Sequence, residues 1–217
     1  MQKRKKITEN ISLWGLRDKK YVLFSGGLSK NEGVHYLIEA FKQLEDTAKT
    51  PNNFKLVIAA DGNDDEDYVK YLYFLSEGRE NILFFCVRKE IFLNDLMTHA
   101  FLLAQPFENV FSQQRFERAM KKKLAILSSD SEEAKEFLEN GGFFFKSKSV
   151  LDLRDRLAYL LSRNEEVRRI GELGKKVLDR RQAEEKKNGA DCMNRQKLIL
   201  DNHKYLWNWK NLLRKSH

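Results

Sequence analysis

Compact apolar runs alternate with amphipathic stretches through most of the chain. Residues 21–25 (YVLFS), 54–59 (FKLVIA), 82–85 (ILFF), 100–104 (AFLLA), 124–127 (LAIL) and 143–146 (FFFK) are short and rich in aliphatic or aromatic side chains. Runs of this length, bounded by turn residues such as Gly26-Gly27, Asp61-Gly62 and Gly141-Gly142, predict buried strands. Between the first two, Leu37, Ile38, Phe41 and Leu44 recur at helical spacing and predict a helix over 34–45. The pattern predicts further helices over 64–77, 90–99, 112–122 and 152–161, the last with Leu153, Leu157, Leu160 and Leu161 on one face. Acids open the 64–77 segment, where a helix dipole favours them. Ser131-Glu132-Glu133-Ala134 predicts a short capped helix, its hydroxyl satisfying a free backbone amide. From residue 164 onward the pattern is helical, polar and charged until an apolar cluster near the end.

Strands alternating with helices at this spacing predict βαβ units. The expected fold is α/β: a Rossmann-like, doubly wound, mostly parallel six-stranded sheet with a helical C-terminal extension. The expected organisation is an N-terminal arm or linker over 1–20, a sheet domain over 21–163 and the extension over 164–217. Pro51 and Pro106 are the only prolines, so no Pro-rich linker divides the chain. The stretch 100–130 reads as strand, loop, helix, strand. That order sets a loop and a helix N-terminus at the carboxyl edge of the sheet, where open α/β folds bind ligands.

Composition narrows the class. Hydrophobic residues at 41% with 33% charged fit a globular protein with a well-charged surface. No apolar run reaches the roughly 18–20 residues a bilayer span needs, and residues 1–12 lack the apolar segment of a secretory signal. Cys86 and Cys192 are the only cysteines; Cys86 falls in a strand pattern, so buried thiols are expected rather than a disulfide. These features together predict a cytoplasmic protein. The net charge of +8 is spread over the N-terminal arm, Lys121-Lys122-Lys123 and the last fifth of the chain, interspersed with glutamates. Interspersed charge of this kind marks solvated helix faces, and no nucleic-acid partner is expected.

Six pieces, in order, resemble the C-terminal, nucleotide-sugar-binding domain of GT-B retaining glycosyltransferases of group 1, or family 4. They are YVLFSGGLSKNEGVHYLIEAF, KLVIAADG, NILFFCV, the stretch from Pro106 to Met120, the following strand, and ENGGFFFKSKSVLDLRDRLAYLL. The resemblance covers roughly residues 20–180. It implies retaining glycosyl transfer from a nucleotide sugar, which is a substrate, so no cofactor and no metal are expected. It also implies that this chain holds only the donor half of a two-domain enzyme, a separate N-terminal GT-B domain or partner protein supplying the other.

The family pattern places an Arg and a Lys on the donor diphosphate and two glutamates on the sugar and ribose. In this chain those positions are Gly27, Glu32, Val110 and Arg118. Glu32 puts a negative charge where phosphates are expected, and the loss of two cations removes charge-assisted donors worth roughly 1.5–3 kcal/mol each. Ala60, Cys86 and Lys123 also replace glycines of the pattern. No catalytic residue is assigned, and the activity of this chain alone is expected to be weak or absent. The candidate binding residues are those whose contribution is backbone: Gly26 at the tip of the first strand, and Ser112, Gln113 and Gln114 at a helix start whose free amides attract phosphate or sugar oxygens.

Other groups carry less. Glu108 and Glu117 read as surface acids, Asp61 as a loop cap, and Phe143-Phe144-Phe145 as core strand. His35, His99, His203 and His217 show neither metal-ligand spacing nor an evident acid–base partner. The basic, amphipathic tail 198–215, with Trp207 and Trp209, fits either packing against a partner domain, as the resemblance implies, or peripheral contact with a membrane surface. The other class of function open to the chain is a non-catalytic remnant or scaffold that binds a partner protein through its inter-domain face.

Overall fold

The structure is a computed structural model that describes residues 11–17, 20–47, 54–62, 64–109 and 111–187. Val110, Cys192, His203, His217 and the tail 198–215 lie outside the described residues. The chain divides into two compact units, residues 1–177 and 178–217. In the second, residues 178–187 are helical.

The first unit is a six-stranded parallel sheet. Its strands are β1 (Tyr21–Gly26), β2 (Lys55–Ala60), β3 (Ile82–Cys86), β4 (Leu102–Gln105), β5 (Ala125–Ser129) and β6 (Phe143–Phe145). The helices are α1 (Val34–Asp46), α2 (Glu66–Leu75), α3 (Glu90–His99), α4 (Gln113–Lys121), α5 (Glu132–Leu138) and α6 (Val150–Leu161). Every pairing is parallel, and the spatial order is β3-β2-β1-β4-β5-β6. The order therefore reverses between β1 and β4, which opens a crevice beyond their carboxyl ends.

The central strands are buried throughout, because helices cover both faces of a parallel sheet. That is why β1, β4 and β5 appear in the sequence as unbroken apolar runs. On one face Val22, Phe24 and Leu56 join Leu37 and Phe41 of α1 and Leu153 and Leu157 of α6 in a single core. At the edges the pattern relaxes: in β6 Phe145 is buried, whereas Phe143 and Phe144 are half-covered. Cys86 departs from expectation. It closes β3, the outermost strand, at the carboxyl edge where helix cover ends, and its thiol is exposed rather than buried.

Flanking segments also pack on this unit. In the segment before β1, Ile11 and Leu16 are buried, Trp14 meets Phe85 edge to face at 5.3 Å, and Lys55 Nζ donates to the Trp14 carbonyl at 2.7 Å. Residues 164–177 are helical, with Val167 and Ile170 buried. Gly171 lies so close to the Lys123 carbonyl that no side chain would fit between them. Lys123 itself is left-handed, at φ 56°. No helix of the described residues is long and apolar enough to cross a membrane.

Candidate functional site

The crevice beyond β1 and β4 is shaped by the loop that follows each strand. The loop after β1 is held down by its backbone: Leu28 N–H donates to Asp64 Oδ1 at 3.0 Å, and Asp65 N–H donates to the Leu28 carbonyl at 2.9 Å. A single 3-10 turn (Lys30–Glu32) then ends on Gly33, at φ 68°, whose N–H donates to the Lys30 carbonyl. The Pro106 carbonyl lies against Gly33, so this position has neither the backbone conformation nor the space for a side chain. The loop after β4 is tied to the first, with Glu108 N–H donating to the Asn31 carbonyl at 2.8 Å. Beneath both, the buried Gln105 donates through Nε2 to the Ser25 carbonyl at 3.0 Å.

Across this crevice runs an ion pair between residues far apart in sequence. Glu32 is only 4% exposed, and Arg115 of α4 donates to it bidentately: Nη1 to Oε2 and Nη2 to Oε1, both at 2.6 Å. A carboxylate withdrawn from water needs charge-assisted donors, and a guanidinium fork satisfies both oxygens. The guanidinium lies over the tip of β1, where a Cβ on Gly26 would stand 2.6 Å from Arg115 Cζ. Gly26 thus leaves room for the Arg115 guanidinium at the tip of β1.

The remaining sequence-predicted positions are distributed around this pair. Gly27 is buried in the loop. Arg118 pairs with Glu90 of α3 at 3.5 Å and is 40% exposed. Glu32 and Arg118 therefore each have an opposite charge within the domain as partner. Ser112 precedes α4 in an extended conformation without a side-chain capping bond. Gln113 and Gln114 are exposed beside it, and Gln113 Nε2 donates to Glu117 Oε1 at 2.8 Å. The first amides of α4 have no intrahelical acceptor, as at any helix start.

Glu108 is not the surface acid its loop position suggested. Its side chain is 11% exposed and accepts from Tyr36 Oη at 2.8 Å and Lys148 Nζ at 2.7 Å. The Lys148 bond, with a smaller one from Tyr36, holds the carboxyl below the usual glutamate range against the opposing effect of burial. Burial, then the bond to Glu108, pushes the Tyr36 phenol up to about 12.

His35 sits beside this cluster, its ring 3.9 Å from that of Tyr36. It does have a partner: its backbone N–H donates to Tyr68 Oη at 3.1 Å, and that oxygen lies 2.7 Å from Nδ1. Tyr68 Oη therefore bridges the backbone N–H and the imidazole of His35. Burial lowers the imidazole pKa; Glu108 opposes the shift and Lys30 adds to it. Sequence reasoning missed Arg115, Tyr36, Tyr68 and Lys148 as site residues. Tyr68 lies outside the pieces that carry the resemblance, Tyr36, Arg115 and Lys148 lie inside them at positions to which the pattern gives no role, and each is recruited from a different element. Among the described residues no cluster of His, Cys, Asp or Glu could hold a metal ion.

A parallel sheet in the order 3-2-1-4-5-6, with its crevice at the β1/β4 reversal, defines a Rossmann-like, doubly wound α/β domain. The profile of the family described as glycosyl transferases group 1 matches residues 7–177, and the chain belongs to that family. No curated protein sequence matches it significantly.

Solved structures similar to it include the C-terminal domain of LpcC, a glycosyl transferase group 1 family protein from Francisella tularensis. That domain superposes with a TM-score of 0.66 at 15% identity, over 77% of this chain and 88% of that one. Anabaena Alr3699/HepE in complex with UDP and glucose gives 0.68 at 20% identity, over 78% of this chain and 46% of that one. WaaG, a glycosyltransferase involved in lipopolysaccharide biosynthesis, gives 0.61 at 18% identity, over 81% and 48%. At these identities the likeness is one of fold. The match spans nearly all of the LpcC domain but about half the length of HepE and WaaG.

Proposed function

We propose that this chain is a glycosyltransferase donor domain that does not transfer sugar by itself, its donor-phosphate site being closed from within by the Glu32–Arg115 pair. That pair is the observation that carries the reading. The one guanidinium over the tip of β1 is already neutralised, and the buried carboxylate beside it repels the diphosphate a nucleotide sugar would bring. Leaving one partner of a buried pair without the other costs about 3–5 kcal/mol, so a diphosphate that must part Arg115 from Glu32 competes at a large disadvantage. A separate N-terminal GT-B domain or partner protein supplies the acceptor half in this reading. The same internal pairing at Glu32 and at Arg118 also favours a second reading, a non-catalytic scaffold that presents its inter-domain face to a protein partner.

The test is thermal melting of the purified chain with UDP, GDP and their sugar conjugates at millimolar concentration, run beside an assay for sugar transfer or donor hydrolysis. A ligand at about 100 times its dissociation constant would stabilise the fold by roughly 2.7 kcal/mol, a shift of a few degrees at this size. The expected result is a cooperative melt that none of these ligands moves, with no turnover. Turnover by the chain alone, or a saturable shift with one nucleotide, overturns the reading.

A further inference from the structure

At the opposite edge of the sheet lies a cavity of about 430 Å³. It opens where the strands begin, between the segments entering β1, β2, β4 and β5 and the helix over residues 164–177. Its floor is apolar: Phe54, Met97, Leu124, Leu161 and Val167 are buried there, and Phe101 meets Phe54 edge to face at 5.3 Å. Its rim is cationic. Lys20, Lys122, Lys123 and Arg168 all line it, all are exposed, and no carboxylate is among the described lining residues.

Part of that charge has a local reason, since Lys122 and Lys123 follow the carboxyl end of α4, where a helix dipole favours cations. Lys20 and Arg168 belong to other elements, Arg168 beside Glu165 and Glu172 of its own helix. The first enters β1 and the second lies on the helix after α6, so cations from three separate elements converge on one opening. Lys123 adds a second anomaly, a non-glycine residue in the left-handed region at a lining position. An apolar chamber of this size with a few convergent polar groups has the make-up of a small-molecule site. Exposed cations grouped at one mouth favour an anion among them, by an amount that water and salt reduce.

We propose that this cavity binds a single-chain amphiphilic anion, its apolar body on the Phe54–Phe101 floor and its carboxylate or phosphate head on the rim formed by Lys20, Lys122, Lys123 and Arg168. The site is separate from the donor crevice, which lies beyond the other ends of the same strands. Its occupancy does not depend on whether that crevice binds nucleotide.

The full chain is melted with sodium decanoate below its micellar concentration. Decyl phosphate, acetate and decan-1-ol are run in parallel. Decanoate or decyl phosphate raises the melting temperature saturably by a few degrees; acetate, which lacks the body, and decan-1-ol, which lacks the charge, do not. Raising salt from about 0.05 to about 0.5 M weakens binding roughly tenfold, as expected for exposed charges that counter-ions screen. The preference between the two anions tells a carboxylate head from a phosphate head. The double variant Lys122→Glu, Arg168→Glu changes only exposed side chains, so it folds, and it loses the shift. No saturable shift with either anion overturns the proposal, and so does an equal shift with decan-1-ol that the double variant keeps. Binding to phosphatidylglycerol vesicles without any response to the soluble anions overturns it as well.

Discussion

Glu32 is a carboxylate that a helix-opening turn holds out of water, and Arg115 makes that tolerable by presenting two donors across the tip of β1. The pair is a residue-scale device with a residue-scale test. Glu32→Gln keeps the shape but leaves the guanidinium, with a side chain 18% exposed, without its counter-charge. The variant is expected to melt below the parent, with a loss of about 3 kcal/mol. Inorganic pyrophosphate or UDP then raises the melting temperature of the variant but not of the parent. Removing both partners, as Glu32→Gln with Arg115→Met, is expected to restore much of the stability and abolish the pyrophosphate response. A parent that responds as strongly as Glu32→Gln would show that the pair does not close the site. Lys123 offers a second case. A lysine at φ 56° holds a conformation unfavourable for a side chain by about 1–2 kcal/mol, while glycine adopts it freely. Lys123→Gly is therefore expected to stabilise the chain by up to about 1 kcal/mol in urea unfolding, part of the gain being offset by the glycine's greater freedom when unfolded.

At the scale of elements, the polar cluster ties β4's following loop to α1, α2 and the turn before α6. Tyr36 and His35 come from α1, Tyr68 from α2, Glu108 from the loop and Lys148 from the turn. Two groups in it titrate below their ordinary values, for opposite electrostatic reasons. His35 is lowered chiefly by burial, which disfavours its charged form, and Glu108 by the Lys148 bond, which favours its charged form. The sign is the same for both: the unfolded chain binds more protons than the folded one, so stability falls as pH falls. His35 contributes fully above the ordinary imidazole value of about 6.5, and its contribution is lost as pH drops through the lower folded value. Glu108 does the same in a window below the ordinary glutamate value of about 4.3. Melting temperature followed from pH 7.5 to 5.5 is expected to decline in the parent and to decline less in His35→Gln. Identical slopes would mean that burial does not lower the imidazole's pKa.

For the whole molecule, the alternation of apolar runs and amphipathic stretches was enough to place all six strands and the helices between them, with ends displaced by a residue or two. The cause is physical: a strand covered by helices on both faces has no polar side to interrupt it, so β1, β4 and β5 stand out as unbroken runs. The same logic explains where the pattern misled. Cys86 and Phe144 lie on β3 and β6, the outermost strands, and an apolar run does not say which strands end up at an edge. The candidate site was legible as a place rather than as a set of contacts. Gly26 and the start of α4 were readable as local features because turns and helix starts are written locally. Arg115 and Lys148 were not, because nothing in QQRFERAM or FKSKSV distinguishes a guanidinium or ammonium that reaches a buried acid from one that faces solvent. The sequence alone determined the element order and the family, since these depend on residue type and spacing along the chain. What became of the carboxylate at position 32 was decided only in three dimensions. Its partner lies 83 residues away, and they meet because the strand order reverses between β1 and β4. Pairing at that separation is fixed by how the sheet is wound, which no local pattern encodes.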